Sequence, residues 1–345
     1  MIIASKENGR PFNHLSLSNG NGNFFVKILA SPFAVLFCLL ISSLSLAESN
    51  SASSKGNQTT QDLSKIPEEY GEVIYQSNGE SSKQLYIIGV EHRDAITRSN
   101  GINTSKVQAE VYKIGEWLIQ NEGLGLLLPE GFFTKKTGKA VLSRSPAEER
   151  TDEPKSLGFG DLEKRLADNR TYVNAEMLLK QNYGLRTRQI EEKILYDVVH
   201  DAICKLPIKG APSCDFLPLK SRLDYLQEKR IAAMLQKIPG VVEEEFQHSN
   251  IKSKRALFTI GISHVPQIIK YLNNNKIEIH QPLPACGEDG DYVADLNLLK
   301  EQFGITVIVP KKLADDDAVL KLCGLDKIVE QCRKQTSSPS PKKSP

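Results

Sequence analysis

Two copies of the pattern Gly-x-x-His limit how this 345-residue chain can fold. Each copy directly follows a short apolar run that is typical of a buried strand: Gly89–His92 follows residues 85–88, and Gly261–His264 follows residues 256–260. Each copy is followed by sequence that favours a helix. In open α/β sheets, ligands bind beyond the carboxyl ends of the strands. The two motifs therefore predict a site at one edge of a sheet.

A carboxylate follows a third apolar run, which lies between the two histidine motifs in the sequence. Residues 124–129 are predicted to form a strand that delivers Glu130 to the same edge. Two imidazoles and a carboxylate, from His92, His264 and Glu130, can bind a divalent metal ion and leave positions open for water and substrate. Such an ion lowers the pKa of bound water toward neutrality. The spacing predicts a metal or acid–base site formed by these three residues.

The same residues also have a purely structural interpretation. A single Gly-x-x-His has no specificity, and a histidine near a strand end is commonly a surface or capping residue. Glu130 could equally be a loop carboxylate. The glycines allow a positive φ or a close approach of the backbone. In the functional interpretation, Glu91 beside His92 is a base or orients a ligand.

Strand and helix patterns alternate along the chain. Apolar residues recur at helical spacing from Val107 to Ile119, which predicts a helix between the first two site strands and therefore a parallel β-α-β unit. Residues 70–75 form an alternating strand before the turn signal Asn78-Gly79. We predict an α/β fold with a mainly parallel sheet flanked by helices. The remaining predicted elements are a helical insertion at about 156–250 between the second and third site strands (helices 157–169, 172–181, 187–205 and 216–238), strands 256–261, 276–279 and 305–310, and helices 265–272, 293–303 and about 315–332.

Composition divides the chain into a leader, a linker, a folded domain and a tail. We predict a signal peptide at residues 1–47, a flexible linker at 48–68, a single α/β domain at 69–332 and a disordered tail at 333–345. Lys27, an apolar run from Ile28 to Leu46 and the small-x-small pattern before Glu48 have the layout of a secretory signal. We therefore expect an exported protein, periplasmic or secreted. The alternative is an uncleaved segment that anchors the protein in the membrane.

The net charge of the chain limits the classes of partner that we expect. The full chain has 44 basic and 42 acidic residues. Removal of residues 1–47 takes away three basic residues and one acidic residue, which leaves a formal charge of zero. Without a basic field, neither nucleic acid nor an anionic membrane surface is an expected partner. We expect a small-molecule or peptide substrate, and a membrane contact only if the leader is uncleaved.

The cysteines favour structural disulfides over a thiolate metal site. No C-x-x-C pattern occurs among the six cysteines of the chain. In an oxidising compartment, the pairs with short loops are Cys204 with Cys214 and Cys323 with Cys332. Cys286 would be unpaired or would pair across the fold.

The order of the motifs resembles a known superfamily. The succession strand–Gly-x-x-His, helix, strand–Glu, helical insertion, strand–Gly-x-x-His is similar to the TraB/Tiki superfamily, which includes ChaN-like haem-uptake proteins and erythromycin esterases. Gln108 in the first helix, the strand ending at Glu130, and the arginine-containing segment 228–234 add to the resemblance. The similarity extends over roughly residues 80–275.

The resemblance implies a function for the site. It implies that His92, Glu130 and His264 form the active or metal site and that Arg230 contacts an anion or the transition state. Some branches hydrolyse a peptide or ester bond and others bind haem. We therefore predict an exported metal-dependent hydrolase with a divalent metal cofactor, in which Glu91 is a proton shuttle and Arg230 stabilises negative charge. The alternatives are a non-catalytic haem- or ligand-binding protein on the same scaffold, and a fold in which these motifs are only structural.

Overall fold

A six-stranded mixed sheet forms the centre of the protein in a computed structural model. The structure describes residues 66–91, 103–134, 140–142, 157–167, 173–204, 216–280 and 291–337. All of them belong to one compact unit, Phe33–Pro345. The predicted signal peptide, most of the predicted linker, His92 and tail residues 338–345 lie outside the described residues.

The sheet confirms the predicted α/β class. Its strand order is β1-β10-β2-β7-β3-β6, with β1 antiparallel to β10 and the other pairs parallel. Two small antiparallel sheets, β4-β5 and β8-β9, lie outside it. The strands are β1 (Gly71–Ser77), β2 (Gln84–Val90), β3 (Leu126–Pro129), β4 (Phe132–Thr134), β5 (Ala140–Leu142), β6 (Arg186–Thr187), β7 (Arg255–Gly261), β8 (Lys276–Ile279), β9 (Tyr292–Asp295) and β10 (Gly304–Pro310).

Helices cover both faces of the main sheet. They are α1 (Thr104–Glu122), α2 (Phe159–Ala167), α3 (Ala175–Tyr183), α4 (Lys193–Cys204), α5 (Phe216–Gln247), α6 (Val265–Asn274), α7 (Asn297–Gln302), α8 (Lys311–Ala314), α9 (Asp317–Cys323) and α10 (Asp326–Ser337), with a 3₁₀ turn at Ile262–His264. The helix α1 packs on α2, α3 and α8, whereas α5 packs on α4, α7 and β8. Among the described helices, none has the length and apolarity that a membrane span requires.

The sequences of the central strands are continuous apolar runs because both faces of these strands are buried. Every residue of β2, β3 and β10 is buried. This pattern is typical of a parallel strand between two helical layers. Helix α1 confirms the predicted β-α-β unit: its apolar stripe from Val107 to Leu118 is buried, and Gly123 ends the helix with a φ of 67°. The strand β7 lies between the two strands that this helix connects.

Two predicted helices were wrong. A helix was predicted at 293–303, but Tyr292–Asp295 is a strand that pairs with β8, and the helix starts only at Asn297. The alternation of buried and exposed residues along this hairpin partner was too short to distinguish from a helical pattern. The single helix predicted at 315–332 is divided between α9 and α10, because Asp316 caps a new helix and Gly324 ends it with a φ of 72°, and α10 continues to Ser337.

The helical insertion is present, with two differences. Its predicted helix at 187–205 starts at the last residue of the edge strand β6, and α4 begins only at Lys193. Its predicted helix at 216–238 extends to Gln247, past Pro239, because apolar and buried residues continue on one face beyond the proline. The strands β1 and β2, predicted on either side of a turn at Asn78, do not pair with each other, since β10 lies between them.

One of the two predicted disulfides can be compared with the structure. Cys323 ends α9 and Cys332 lies on α10, and no disulfide joins them. The Cys332 thiol instead donates a hydrogen bond to the carbonyl of Ile74 in β1, at 3.0 Å. The side chains of Cys204 and Cys214 lie outside the described residues, so that disulfide stays a prediction.

A buried acid connects α1 to the chain that leaves β10. Glu110 is 1% exposed, and its Oε2 accepts the backbone N–H of Lys312 at 2.8 Å. Burial raises the pKa of the Glu110 carboxyl to about 7, because the charged form loses its hydration. The protein therefore folds more readily with this group protonated.

We expect Glu110→Gln to be more stable than the wild type in alkaline solution. Because the folded pKa of about 7 lies above the unfolded value of 4.5, this group's stabilising effect is complete below pH 4.5 and is lost as pH rises through 7. The amide cannot ionise and keeps an oxygen for the Lys312 N–H. Its advantage in free energy of unfolding should grow from near zero at about pH 4 to at most about 3 kcal/mol at about pH 9.

Urea unfolding across this pH range measures the difference. Glu301→Gln, at an exposed glutamate of α7, removes the same charge and is the control. An equal advantage for the control variant, or no pH dependence in the Glu110 variant, would contradict the expectation.

Candidate functional site

The connections that leave the carboxyl ends of β2 and β7 run in opposite directions along the sheet. These strands are parallel neighbours, and Val90 at the end of β2 pairs with Gly261 at the end of β7. From β2 the chain continues through α1 to β3, and from β7 it continues through α6 toward β10, on the other side of β2. Right-handed crossovers therefore carry the two connections to opposite faces of the sheet. Ligands of open α/β sheets bind at such a point.

Glu130 reaches this point from β3, the other neighbour of β7. Pro129 pairs with Thr259, and the backbone N–H of Glu130 donates to the Thr259 carbonyl at 2.9 Å. The Glu130 side chain crosses to the end of β7, where its Oε2 accepts the N–H of Gly261 at 2.7 Å. The side chain is 10% exposed. Its position is therefore set by backbone contacts to the adjacent strand.

His264 lies beside the Glu130 carboxylate. A 3₁₀ turn at Ile262–His264 directly follows β7 and leads into α6, so the strand end and the helix start both fix the histidine. His264 is 6% exposed. Its Nε2 lies 3.9 Å from Glu130 Oε1. The structure thus brings together two of the three predicted ligands, and the third, His92, lies outside the described residues.

Arg230 binds the same carboxylate from α5. Its Nη2 donates to Glu130 Oε1 at 2.5 Å, its Nε donates to Glu191, and its Nη1 donates to Gln227 at 3.2 Å. Arg230 is 5% exposed. Burial by itself lowers the pKa of the guanidinium, but the attraction of Glu130 and Glu191 outweighs it and raises the pKa above the usual value. Arg230 is therefore a buried, permanent positive charge between two carboxylates.

Glu191 was not predicted from the sequence. It lies between β6 and α4 and is fully buried, and its Oε2 accepts the N–H of Gly131 at 2.7 Å. Gly131 directly follows Glu130 and has a φ of 73°. Nothing in the local sequence distinguishes Glu191 from its neighbour Glu192. The three charged residues Glu130, Arg230 and Glu191 are called the acid–arginine network below.

Aromatic rings line one side of this network. The Arg230 guanidinium lies 5.6 Å from the ring centre of Tyr196, and the Tyr196 ring packs edge-on against Phe133 at 5.1 Å. Burial raises the pKa of the Tyr196 hydroxyl, and the negative charge of Glu191 raises it further. A ring face opposite a guanidinium favours the charged form and restricts its motion. The aromatic side therefore helps to hold Arg230 in place.

Gln108 connects the site strand β2 to two helices. Its Nε2 donates to the backbone carbonyl of Glu91 at 3.4 Å, and its Oε1 accepts the N–H of Ala175 at 2.9 Å. This single side chain joins α1, the end of β2 and the start of α3. The backbone of Glu91, the predicted proton shuttle, is thus held at the same sheet edge.

The two predicted glycines have different physical roles. Gly261 has a φ of −52°, so its backbone conformation does not require glycine. Its backbone N–H donates a hydrogen bond to Glu130. A Cβ on Gly89 would lie 2.9 Å from Val265 Cγ2 and 3.3 Å from the Ile262 Cα. Gly89 therefore permits the close approach of the 3₁₀ turn that carries His264.

Glu130 and His264 contribute a carboxylate and an imidazole, which are donor types that divalent ions bind. Among the described residues, no three His, Cys, Asp or Glu side chains are grouped closely enough to hold a metal ion. Glu130 Oε1 and His264 Nε2 are 3.9 Å apart, whereas two ligands of one tetrahedral ion are roughly 3.3 Å apart, so the two atoms would have to move slightly closer to share an ion. The third donor of the predicted set, His92, follows Val90 by two residues. Metal and haem binding both stay predictions.

Two grooves of about 500 and 480 Å³ lie away from these residues. One runs between α4 and α5, beside Leu195 and Ala233, and the other lies at the amino ends of β2 and β7, beside Lys83 and Arg255. Neither groove is lined by Glu130 or His264.

Comparisons with protein-family models, with characterised proteins and with solved structures found no match to this chain.

We expect Gly89→Ala to destabilise the protein by about 1–3 kcal/mol, because the added methyl group overpacks against Val265 and the backbone of Ile262. Urea unfolding measures the loss. Gly240→Ala is the matched control, since a Cβ there meets nothing within 4 Å and Gly240 lies inside α5. That variant should be as stable as the wild type or more stable. A Gly89 variant of undiminished stability would contradict the close-approach role.

Proposed function

We propose that this protein is a metal-dependent hydrolase that acts on a peptide or ester bond, with a divalent ion held by His92, Glu130 and His264. The observation that carries the proposal is the 3.9 Å separation of Glu130 Oε1 and His264 Nε2 at a point where strand connections diverge. The class of bond follows from the resemblance to the TraB/Tiki superfamily. Residues 1–47 are proposed to direct the protein out of the cytoplasm.

The strand register supports a contribution from all three residues. The strand β7 pairs with β2 on one side and with β3 on the other, and all three run parallel. His92 comes two residues after Val90, Glu130 one residue after Pro129, and His264 three residues after Gly261. Three adjacent strands thus each lead directly to one proposed ligand.

The charges of the network favour a cation. Glu130 and Glu191 contribute two negative charges and Arg230 one positive charge, so the network has a net charge of minus one. These groups are at most 10% exposed, so water screens them weakly. This excess would attract a divalent ion, which would polarise a carbonyl group and lower the pKa of water.

The protein's own residues supply orientation and proton transfer. Arg230 and the Gly261 N–H each hold one oxygen of Glu130, so the carboxylate has a fixed orientation toward His264. Arg230 is proposed to stabilise the negative charge that develops on a substrate carbonyl oxygen. Glu91, at the end of β2, is the proposed proton shuttle.

Metal analysis of purified protein tests the site. We expect a stoichiometric divalent ion in the wild type and its loss in His92→Ala and His264→Ala, because each change removes an imidazole ligand. His248→Ala is the matched control, since His248 is exposed and contacts the backbone at the end of the preceding helix α5, at the Glu244 carbonyl. No metal in the wild type, or equal content in all four proteins, would refute the metal site.

Chelation tests the hydrolytic activity. Wild-type protein is assayed with p-nitrophenyl esters and with a mixed peptide library before and after dialysis against EDTA. We expect hydrolysis to be lost on dialysis and restored by added metal, because the ion supplies the activated water. Hydrolysis that persists in metal-free protein would contradict metal dependence, and absence of hydrolysis in metal-loaded protein would contradict the hydrolase assignment for these substrates.

A further inference from the structure

We infer that the outer face of helices α4 and α5 is an interface through which two copies of this chain associate. The inference goes beyond the function proposed above and is independent of the metal site and of hydrolysis. It is carried by an exposed apolar strip, by a groove beside that strip and by the charges on the two walls of the groove. The α4–α5 face, as it is called below, consists of Glu192, Ile194, Leu195, Val198, Ala233 and Lys237.

Helix α4 has apolar side chains on its exposed side. Ile194 is 77% exposed and Val198, one turn later, is 38% exposed, whereas Val199 on the inner side is buried. At about 100° per residue, the half-buried Leu195 is followed around the helix by Val198 and then by Ile194. One exposed aliphatic side chain is ordinary, but a continuous apolar strip favours a surface that another molecule covers.

A groove of about 500 Å³ lies directly beside this strip. Leu195 lines it from α4, and Ala233 lines it from α5. The α4–α5 face therefore combines a ridge, formed by Ile194 and Val198, with a neighbouring groove that has aliphatic side chains on both walls. When one such surface is rotated by 180° onto another, each ridge can enter the opposite groove. This two-fold arrangement is the commonest one in protein oligomers.

The charges on the face favour a second copy of the chain as the occupant. Glu192 lies on the α4 side of the groove and Lys237 on the α5 side. In the part of the chain that the structure describes, neither side chain is in an ion pair. Two-fold symmetry makes each contact reciprocal, so the acid of each copy would face the base of the other. An uncharged lipid surface would leave both charges without a partner.

The size of the face indicates a weak dimer. Helix α4 has 12 residues. It is therefore about 18 Å long, and two packed helices are about 20 Å wide. Such a face buries less than the roughly 1,600 Å² in total that is typical of a stable interface. Interfaces of that standard size have dissociation constants from micromolar down to picomolar, so we expect a value of about 10–100 µM here.

Sedimentation equilibrium of the full chain, between about 5 and 500 µM, tests the inference. We expect the mass of a monomer at the lowest concentration and that of a dimer at the highest. Ile194→Asp should weaken association at least about tenfold, because it places a charge in an apolar contact. An acidic residue in the first turn of a helix is favourable, so α4 should keep its structure.

Val293→Asp is the matched control. Val293 is also an exposed aliphatic residue, at 58%, but it lies in β9. Its variant should associate as strongly as the wild type. All proteins in the comparison contain the same residues 1–65, so a difference between the two variants reports on the α4–α5 face. Far-UV circular dichroism checks that each variant is folded.

A charge exchange tests the two-fold pairing itself. Glu192→Lys alone, or Lys237→Glu alone, would place like charges opposite each other in both halves of the interface. We expect each single variant to weaken the dimer by about tenfold. The double variant restores opposite charges and should associate about as strongly as the wild type.

Four results would overturn the inference. The first is a wild-type protein that is monomeric up to about 500 µM. The second is equal association of Ile194→Asp and the wild type, which would place the contact elsewhere. The third is a double charge variant that associates as weakly as the single ones. The fourth is a monomer that binds phosphatidylcholine vesicles through Ile194, since the occupant would then be a lipid surface. None of these results depends on metal content, which tests the proposed function separately.

Discussion

The parallel pairing of β7 with both β2 and β3 is the constraint on which the rest of the structure depends. These strands come from distant parts of the chain, yet their carboxyl ends lie side by side, with Val90 paired to Gly261 and Pro129 to Thr259. The Glu130 backbone N–H and carboxylate both bind β7, so the register also fixes the side chain. A slip of one residue would turn buried side chains of β7 to the opposite face. The packing of Gly89 against the turn after β7 and the two Glu130 contacts to Thr259 and Gly261 oppose such a slip.

Much of the fold could be predicted from local patterns. The strands β2, β7 and β10 and the helices α1 and α6 each combine an apolar pattern with a clear end signal, and the structure places them within three residues of the expected bounds. The errors occur where local and tertiary preferences compete. The strand at Tyr292–Asp295 exists because it pairs with β8, and the two-residue strand β6 exists because it pairs with β3. Partners far along the chain supply the hydrogen bonds in both cases, and a local pattern does not encode them.

The candidate site could be predicted only in part, for a related reason. Glu130 and His264 follow strands whose order along the chain is simple, so their meeting could be anticipated. Arg230 was included through a resemblance, with no local signal of its own. Glu191 was missed because its role depends on the path of the chain between β6 and α4, which brings it to Gly131 and Arg230 from 60 and 39 residues away. Burial of a carboxylate is a property of the folded chain, and the polar sequence around it resembles an exposed helix start.

The acid–arginine network is difficult to explain by stability alone. Removing three charged groups from water has a large desolvation cost, and well-packed apolar residues of similar volume commonly give equal or greater stability. The network instead gives geometric definition: Glu130 has a named partner for each oxygen, Arg230 has a partner at each of its three nitrogens, and Tyr196 covers the guanidinium. Its counterpart at the sheet edge, Glu245 with Arg186 and Arg188, joins the segment at β6 to α5. Both networks bury an acid, yet one of them lies at the point where the strand connections diverge. That position favours a binding or catalytic role for Glu130, Arg230 and Glu191 over a role limited to holding the insertion against the sheet.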